Sequence, residues 1–206
     1  MNDNYYNFCI SYKDYETYKK DGANVDKLLV CPNGAQHRDY HFTEKPLKPS
    51  WTLYLGRIEP RKRQYLYQDI YGVEFVGKYT DTTSFDRNRD CYLGQWEHEY
   101  KLQHVTDYGN MMLLSDGENG TPLVIKEALV AGLGVVVSKY AAHDLDTSLP
   151  FVTVIPDDKW EDIEYVQMKL IENRKISVTM RKEIRQYGID NFSWQKLVKT
   201  YVENIE

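Results

Sequence analysis

The sequence predicts an α/β protein built on a Rossmann-like, mostly parallel sheet with flanking helices. Short runs of β-branched and apolar residues alternate with helical runs along most of the 206 residues, which is the pattern of repeated βαβ units. At Gly56, and again at residues 115–121, a strand leads through glycine into a helix start. Such junctions are typical of the carboxyl edge of a parallel sheet, where ligands bind.

Length, charge and cysteine content exclude several classes of protein. At roughly 150 residues per domain, the chain forms one or two domains. No apolar run approaches the roughly 20 residues of a membrane helix, and the sequence shows no secretory signal. A formal net charge of -5 argues against nucleic acid as a partner. The scattered Cys9, Cys31 and Cys91 indicate free thiols and a cytoplasmic location.

The individual strands and helices are predicted from apolar runs and from the glycine, proline and polar residues that bound them. Strands are predicted at residues 8–11, 28–31, 51–56, 73–77, 91–93, 111–114, 135–138 and 151–155. Helices are predicted at residues 14–20, 60–70, 97–108, 122–131 and 158–172, before a mostly helical tail, 176–206, with a break near residues 188–190. Pro60 suits a first helical turn, Thr121 is predicted to cap its helix, and Gly132 or Gly134 to end it.

Competing chemistries lack their signatures. His37 and His41 lie four residues apart, but in a predicted connecting segment, 35–50, so we interpret them as structural and expect no metal site. No GxSxG elbow and no Walker-type phosphate loop occurs. Asp144 and Asp146 are interpreted as surface loop acids.

The first motif with chemical content is LYLGRIEPRK, residues 53–62. A buried strand ends at Gly56, where the absent side chain lets a ligand approach the backbone. The helix start that follows offers free N–H groups to an anion, and Arg57 and Lys62 add two cations. The motif therefore predicts a diphosphate site, although a solvated basic face formed with Arg61 and Arg63 is an equally simple interpretation.

The second motif is SDGENGTPLVIKEALVAGLGVVVS, residues 115–138. Gly117, Gly120 and Thr121 place backbone amides at a second anion-accepting helix start. Glu127 falls on the face of the predicted helix that carries Leu123 and Val130. A carboxylate there needs a partner, either the hydroxyls of a ribose or, in a purely structural role, Lys126 or a nearby arginine.

These motifs, in this order, resemble the nucleotide-sugar-binding C-terminal domain of group 1 (family 4) retaining glycosyltransferases of the GT-B fold. The resemblance spans roughly residues 28–200. Its features are Gly56-Arg57 with Lys62, Glu118 with Pro122 and the run 127–132 (EALVAG), the turn Pro32-Asn33-Gly34, and the tail run 191–194 (NFSW).

The resemblance implies roles for individual residues. Arg57 and Lys62 would bind the donor diphosphate and stabilise the leaving group, and Glu127 would hold the ribose. Glu118 and the backbone of Asn119, Gly120, Thr121, Pro122 and Leu123 would face the donor sugar and phosphate. Gly94 and Gln95 would border the base, with Gly77 nearby, and no metal or other cofactor would be required because cations and helix-end amides oppose the charge that develops on the diphosphate.

The sequence departs from the family in two respects. Eight residues separate Glu118 from Glu127 instead of seven, so the role of Glu118 is open, with Asp116 as a weaker substitute. The chain is also short. Residues 1–45 are predicted to be the last strand and helix of an N-terminal domain and a linker, 46–190 the donor-binding domain, and 191–206 a C-terminal helix.

We therefore predict a glycosyltransferase of the hexosyltransferase type whose chain supplies the donor-binding half, with a glycan, lipid or protein as acceptor. A separate chain carrying the acceptor domain, or a homo-oligomer, would complete it, and the isolated chain would transfer poorly. The alternative is a non-catalytic nucleotide-sugar-binding module or partner subunit. A flavodoxin-like fold is disfavoured because no acidic cluster lies at the strand ends.

Overall fold

The computed structural model describes residues 5–80 and 84–203, and its elements follow the predicted alternation. The strands are β1 Asn7–Cys9, β2 Leu28–Val30, β3 Lys48–Leu55, β4 Val73–Val76, β5 Tyr108–Leu113, β6 Gly134–Ser138 and β7 Val152–Ile155. The helices are α1 Tyr12–Lys20, α2 His98–His104, α3 Leu123–Val130, α4 Ile163–Thr179, α5 Arg181–Phe192 and α6 Trp194–Glu203.

Five parallel strands form the central sheet, in the order β4-β3-β5-β6-β7. Strands β4, β5 and β6 are buried along their whole length, as expected for a parallel sheet with helices on both faces. The prediction of a Rossmann-like, mostly parallel α/β fold with flanking helices is therefore confirmed.

A separate pair of parallel strands, β1 and β2, is joined by α1. Helix α1 buries none of its residues, and Phe8 and Ile10 on and beside β1 are about half exposed. This N-terminal unit packs against the loop that precedes α3, where Lys13 Nζ donates to Asn119 Oδ1 over 3.0 Å. The division of the chain at residues 45 and 190 stays a prediction.

Buried polar contacts tie α4 to the centre of the sheet. Asn110 on β5 accepts from the Thr52 hydroxyl on β3 over 2.6 Å. The Asn110 amide in turn donates to Asn173 Oδ1 over 2.9 Å. Because all three side chains are fully buried, each hydrogen bond avoids a desolvation cost of about 1–3 kcal/mol. These contacts fix the height of α4 on the sheet.

Helix α5 is anchored by a buried guanidinium. Arg181 is 2% exposed and donates to the carbonyl oxygens of Thr43, Thr106 and Tyr108, over 2.8, 2.6 and 3.0 Å. Burial lowers its pKa from 12.5 to about 10. The arginine thereby joins α5 to the segment before β3 and to the start of β5.

The predicted break at residues 188–190 is wrong, because α5 runs unbroken through Gly188. A Cβ at this glycine would lie 2.7 Å from the backbone of Leu129 and Val130. The glycine is therefore a contact point between α5 and α3 rather than a helix breaker. The actual breaks fall at Met180 and Ser193.

The predicted helix at 60–70 is replaced by two short 3₁₀ turns, Pro60–Lys62 and Gln64–Tyr67. Between them Arg63 adopts a left-handed conformation, with φ 56°. The Tyr54 hydroxyl donates to the Lys62 carbonyl oxygen, and the Gln64 amide donates to the Arg57 carbonyl oxygen over 2.8 Å. The first bond takes up a backbone carbonyl of the segment and the second ties the Gln64 side chain back to the residues before it, and together they outweigh the helical pattern.

Other boundaries also shifted. Residues 91–93 form only one bridge, between Tyr92 and Phe75, not a strand. Helix α2 ends at His104 and continues as a 3₁₀ turn, and α4 starts at Ile163, not 158, because the Asp162 side chain caps it. Residues 81–83 lie outside the part of the chain that the structure describes.

None of the helices within residues 5–80 and 84–203 has the length and apolar character that crossing a membrane requires. The three cysteines carry free thiols, and Cys9 alone among them is buried.

Candidate functional site

The carboxyl ends of β3 and β4 meet at two glycines. The Gly56 N–H donates to the Val76 carbonyl oxygen over 2.9 Å, and the Gly77 N–H donates to that of Gly94 over 2.9 Å. A Cβ at Gly77 would overlap the Gly56 carbonyl oxygen. The two strand ends therefore approach each other only because residue 77 has no side chain.

Lys62 lies directly over the end of β3. Its Nζ is 3.6 Å from the position that a Cβ would take at Gly56, and the residue is 8% exposed. The Tyr54 hydroxyl binds the Lys62 carbonyl oxygen and accepts from the Leu114 N–H over 3.1 Å. One buried tyrosine thus fixes the lysine backbone relative to both β3 and β5.

Glu118 faces Lys62 from the other motif. Its Oε1 is 3.4 Å from Lys62 Nζ and 3.0 Å from Arg61 Nη1. Burial works to raise the pKa of Glu118, but the charges of Lys62 and Arg61 outweigh it and lower that pKa below its ordinary value. The carboxylate therefore stays ionised and holds two cations at the sheet edge.

Arg57 is much more exposed than Lys62. Its side chain is 64% exposed, and its nearest carboxylate is Glu59, with 3.8 Å between Nη1 and Oε2. A guanidinium this free can reorient toward an anion at small cost. The two cations of the first motif are thus one fixed ammonium and one exposed guanidinium, which differs from a uniform solvated basic face.

The loop before α3 is closed by an aspartate. Asp144 Oδ2 accepts from the Thr121 N–H over 3.1 Å, and the Thr121 hydroxyl accepts from the Asp144 N–H over 3.0 Å. Lys126 Nζ lies 3.5 Å from the same carboxylate. Asp144 is therefore a structural clamp, and its interpretation as a surface loop acid is wrong.

The predicted cap of α3 is also wrong. Pro122 occupies the N-cap position and forms no side-chain cap, because the Thr121 hydroxyl is engaged by Asp144. Within the described part of the chain, the N–H groups of Leu123 and Val124 donate no hydrogen bond. The start of α3 consequently presents free donors of the kind that bind anions.

A cavity of about 430 Å³ lies beside this helix start. Its lining includes six predicted residues, namely Glu118, Asn119, Gly120, Thr121, Pro122 and Leu123. The rest of the lining is Arg61, Asp116 and Gly117, with Ile10 of the N-terminal unit and Asn33 of the segment after β2. The second motif thus borders a real opening, and the N-terminal unit contributes to it.

Glu127 is held apart from that opening in a buried ion pair. Its Oε1 lies 2.7 Å from Lys101 Nζ on α2, while its buried Oε2 has no hydrogen-bond partner among the described residues. The partner that the sequence required is thus neither Lys126 nor an arginine.

Helix α3 is buried on all sides from Ile125 onward, whereas Leu123 is 43% exposed, so the predicted single apolar face does not exist.

Gly94 and Gln95 follow the Tyr92 bridge. Gly94 joins the sheet edge through its carbonyl oxygen, which accepts from Gly77. Gln95 instead lines a different cavity, of about 510 Å³, against α2.

Sequence reasoning missed Lys101, Asp144 and Tyr40. Burial, followed by the nearby charge of Glu127, raises the pKa of Tyr40. No local spacing links these residues to the two motifs, since the contacts arise only when α2, α3 and the segment before β3 pack together. The one signal in the sequence was the position of Glu127 on a predicted apolar helix face, because a buried carboxylate needs a partner.

Among residues 5–80 and 84–203, no cluster of three or more His, Cys, Asp and Glu side chains is arranged to hold a metal ion. At the sheet edge the structure brings Lys62 and Arg61 together with Glu118, and Glu118 and Arg61 line the same cavity as the start of α3, with its free amides. Their chemistry fits a phosphorylated ligand.

Solved structures with this fold were found by comparison. HepE from Anabaena in complex with UDP-glucose superposes with a TM-score of 0.71 at 14% identity, over 96% of this chain and 62% of that one. The lipopolysaccharide outer core galactosyltransferase WaaB gives 0.70 at 18% identity, over 97% and 61%. Sucrose-phosphate synthase from Thermosynechococcus elongatus gives 0.69 at 16% identity, over 95% and 56%.

The chain has a GT-B glycosyltransferase fold. It spans about three fifths of the length of these glycosyltransferases. No protein-family model matches the sequence, and no curated protein matches it. The edge that carries Gly56 and the start of α3 is the carboxyl edge of the sheet, at which open parallel sheets bind ligands.

Proposed function

We propose that the chain is the donor-binding half of a glycosyltransferase that takes a sugar from a nucleotide-diphosphate donor. The observation that carries the proposal is the convergence of Lys62, Glu118 and the unengaged amides of α3 on one edge of the sheet. The fold shared with HepE, whose structure contains UDP-glucose, supports the donor class.

Lys62 and Arg57 would bind the diphosphate. Transfer breaks the bond between the sugar and the diphosphate oxygen and leaves negative charge on the diphosphate. A fixed ammonium and helix-end amides oppose that charge with little reorganisation. Because these groups already carry the required positive charge, the proposed reaction needs no metal or other cofactor.

Glu118 would position Lys62 in the free protein and meet the donor sugar, together with the backbone at residues 119–123. The free Oε2 of Glu127 would accept from a ribose hydroxyl, since a buried carboxylate oxygen without a donor is costly. The backbone of Gly94 and Gln95 would border the base, with Gly77 below it. Retention of configuration and the hexosyl type of the donor rest on the sequence resemblance.

The acceptor is proposed to be a glycan, lipid or protein, held by an acceptor domain on a separate chain or by a second copy. The site would operate in the cytoplasm. A non-catalytic nucleotide-sugar-binding module is the second candidate. This second candidate is favoured by the exposed apolar residues of the β1–β2 unit, whose strands do not join the central sheet. Exposed apolar residues of this kind suit a surface that binds a partner.

The test is calorimetric titration of UDP, GDP and ADP into the chain and into Arg57→Ala and Lys62→Ala variants. One nucleotide is expected to bind saturably, and loss of Lys62 to weaken it by about 10- to 100-fold, as for a charge-assisted contact. Lys182→Ala is the matched control, because Lys182 is an exposed lysine paired with Glu44 elsewhere. Unchanged affinity in both site variants would refute the proposed roles.

A further inference from the structure

A cavity of about 510 Å³ lies against α2. Its lining contains none of Lys62, Glu118 or Glu127. It is therefore a second opening in the molecule, and the one residue that it shares with the proposed donor site is Gln95, whose backbone would border the base there.

Aromatic rings form one wall of the cavity. Trp96 and Tyr100 meet edge to face, with 5.2 Å between ring centroids and 68° between planes. Tyr100 is 50% exposed and stacks on His104 at 4.0 Å, while Trp96 packs toward Tyr108. The wall thus combines an exposed ring with rings held rigidly behind it.

The opposite side carries a fixed ammonium over a buried carboxylate. Lys48 Nζ is 2.6 Å from Glu74 Oε2 and 3.4 Å from the Tyr108 hydroxyl. Tyr108 itself donates to the same Glu74 carboxylate. Burial and this contact raise the pKa of Tyr108, so its hydroxyl stays protonated.

Polar side chains on the rim remain available for a ligand. Within the described part of the chain, the side chains of Gln95 and Glu97 form no hydrogen bond, although both line the cavity. Asp107 also lines it and is paired with His104 over 2.8 Å. The rim therefore offers an amide that can donate to hydroxyls and accept from them, and carboxylates that can accept from them.

The charges exclude two classes of ligand. Glu97 and Asp107 line the cavity, and its single lysine or arginine among the described residues, Lys48, is already paired with Glu74, so no free ammonium or guanidinium is left for a phosphate or other anion. A cation is disfavoured in turn, because Lys48 already lies 5.0 Å over the Tyr108 ring and 5.8 Å from the Trp51 ring centroid. The tilt of Trp96 against Tyr100 offers no parallel pair between which a flat base could stack.

A neutral, hydroxyl-rich ligand with an apolar face fits the aromatic wall and the polar rim of this cavity. We propose that this cavity is a saccharide-binding site, separate from the donor site. Tyr100 and Trp96 contact the C–H face of a sugar ring, and Gln95 and Glu97 bind its hydroxyls. The assignment does not depend on the chain being a transferase.

The test is saturation-transfer NMR and calorimetry of the full chain with maltotriose, cellotriose and chitotriose. At least one is expected to bind saturably, with a dissociation constant on the order of 1 mM or lower. Tyr100→Ala should weaken that binding by about tenfold. Tyr12→Ala, which removes a more exposed tyrosine from α1, should not change it.

Two further measurements separate this site from the donor site. Neither Lys62→Ala nor saturating UDP should change the affinity for the trisaccharide. Glu97→Gln should lower that affinity, and because Glu97 is exposed, this change should leave the fold intact. Absence of binding by all three trisaccharides, indifference to Tyr100→Ala, or competition by UDP would each overturn the proposal. UDP affinity of the same samples reports on the proposed function separately.

Discussion

Lys62 Nζ and Glu118 Oε1 lie 3.4 Å apart, although the two residues are 56 positions apart in the chain. Each residue belongs to one of the two motifs that the sequence singles out. Their contact shows that the two glycine-containing strand ends build a single site. In the free protein the Glu118 carboxylate holds the Lys62 ammonium over Gly56. Without this contact, a diphosphate would have to draw the ammonium out of solvent when it binds.

This contact predicts a pH-dependent stability. The folded pKa of Glu118 is lowered, so the ion pair stabilises the protein above the ordinary glutamate pKa of about 4.3 and loses its contribution as pH falls through the lower folded value. Urea unfolding should therefore show wild type more stable than Glu118→Gln at pH 7, with the gap closing below about pH 4. A gap that is independent of pH would contradict the ion pair.

The close approach of β3 and β4 predicts that Gly77→Ala is severe. The new methyl group overlaps the Gly56 carbonyl oxygen, so the strand ends must separate, at a cost of about 3 kcal/mol. Gly94→Ala is the control. It has a left-handed φ of 75° but open space, and should cost only about 1 kcal/mol. Equal losses in denaturant unfolding would show that the approach is not tight.

The Lys101–Glu127 pair predicts a specific loss in stability. Lys101→Met leaves a buried carboxylate without a partner and should lower the free energy of unfolding by about 2 kcal/mol. A second change, Glu127→Leu, should restore most of that loss by removing the stranded charge. Denaturant titrations of the two single variants and the double variant measure the coupling. Simple additivity would mean that the pair is not formed.

The buried Arg181 predicts the largest effect among the helices. Arg181→Met strands the carbonyl oxygens of Thr43, Thr106 and Tyr108 without a donor and should lower stability by about 4 kcal/mol. The control is Arg38→Met on an exposed position. A thermal unfolding midpoint unchanged by Arg181→Met would contradict the anchoring role.

The sheet and its carboxyl edge could be predicted from sequence, because buried parallel strands leave long apolar runs bounded by glycine. Gly56 was found for the same reason, because it ends such a run, whereas Lys62 was singled out as a cation at the helix start predicted after it and Glu118 through the family resemblance. These local signals depend on neighbouring residues alone, and the structure preserves them.

The failures share one cause, which is tertiary contact overriding local pattern. The segment 60–70 loses its helix to hydrogen bonds from Tyr54 and Gln64. Gly188 stays within α5 because α3 packs against it. Lys101 and Asp144 join the candidate site from distant parts of the chain, and no spacing in the sequence could reveal them.

The most direct measurement of the central claim is a ¹H–¹⁵N correlation NMR titration of the labelled chain with UDP. The account predicts shifts confined to the sheet edge, at Gly56 and Arg57, at Gly94 and Gln95 and at residues 119–124, and loss of these shifts in Lys62→Ala. Saturable shifts clustered elsewhere, or none at all with UDP, GDP or ADP, would contradict the assignment of this edge as a nucleotide-sugar site.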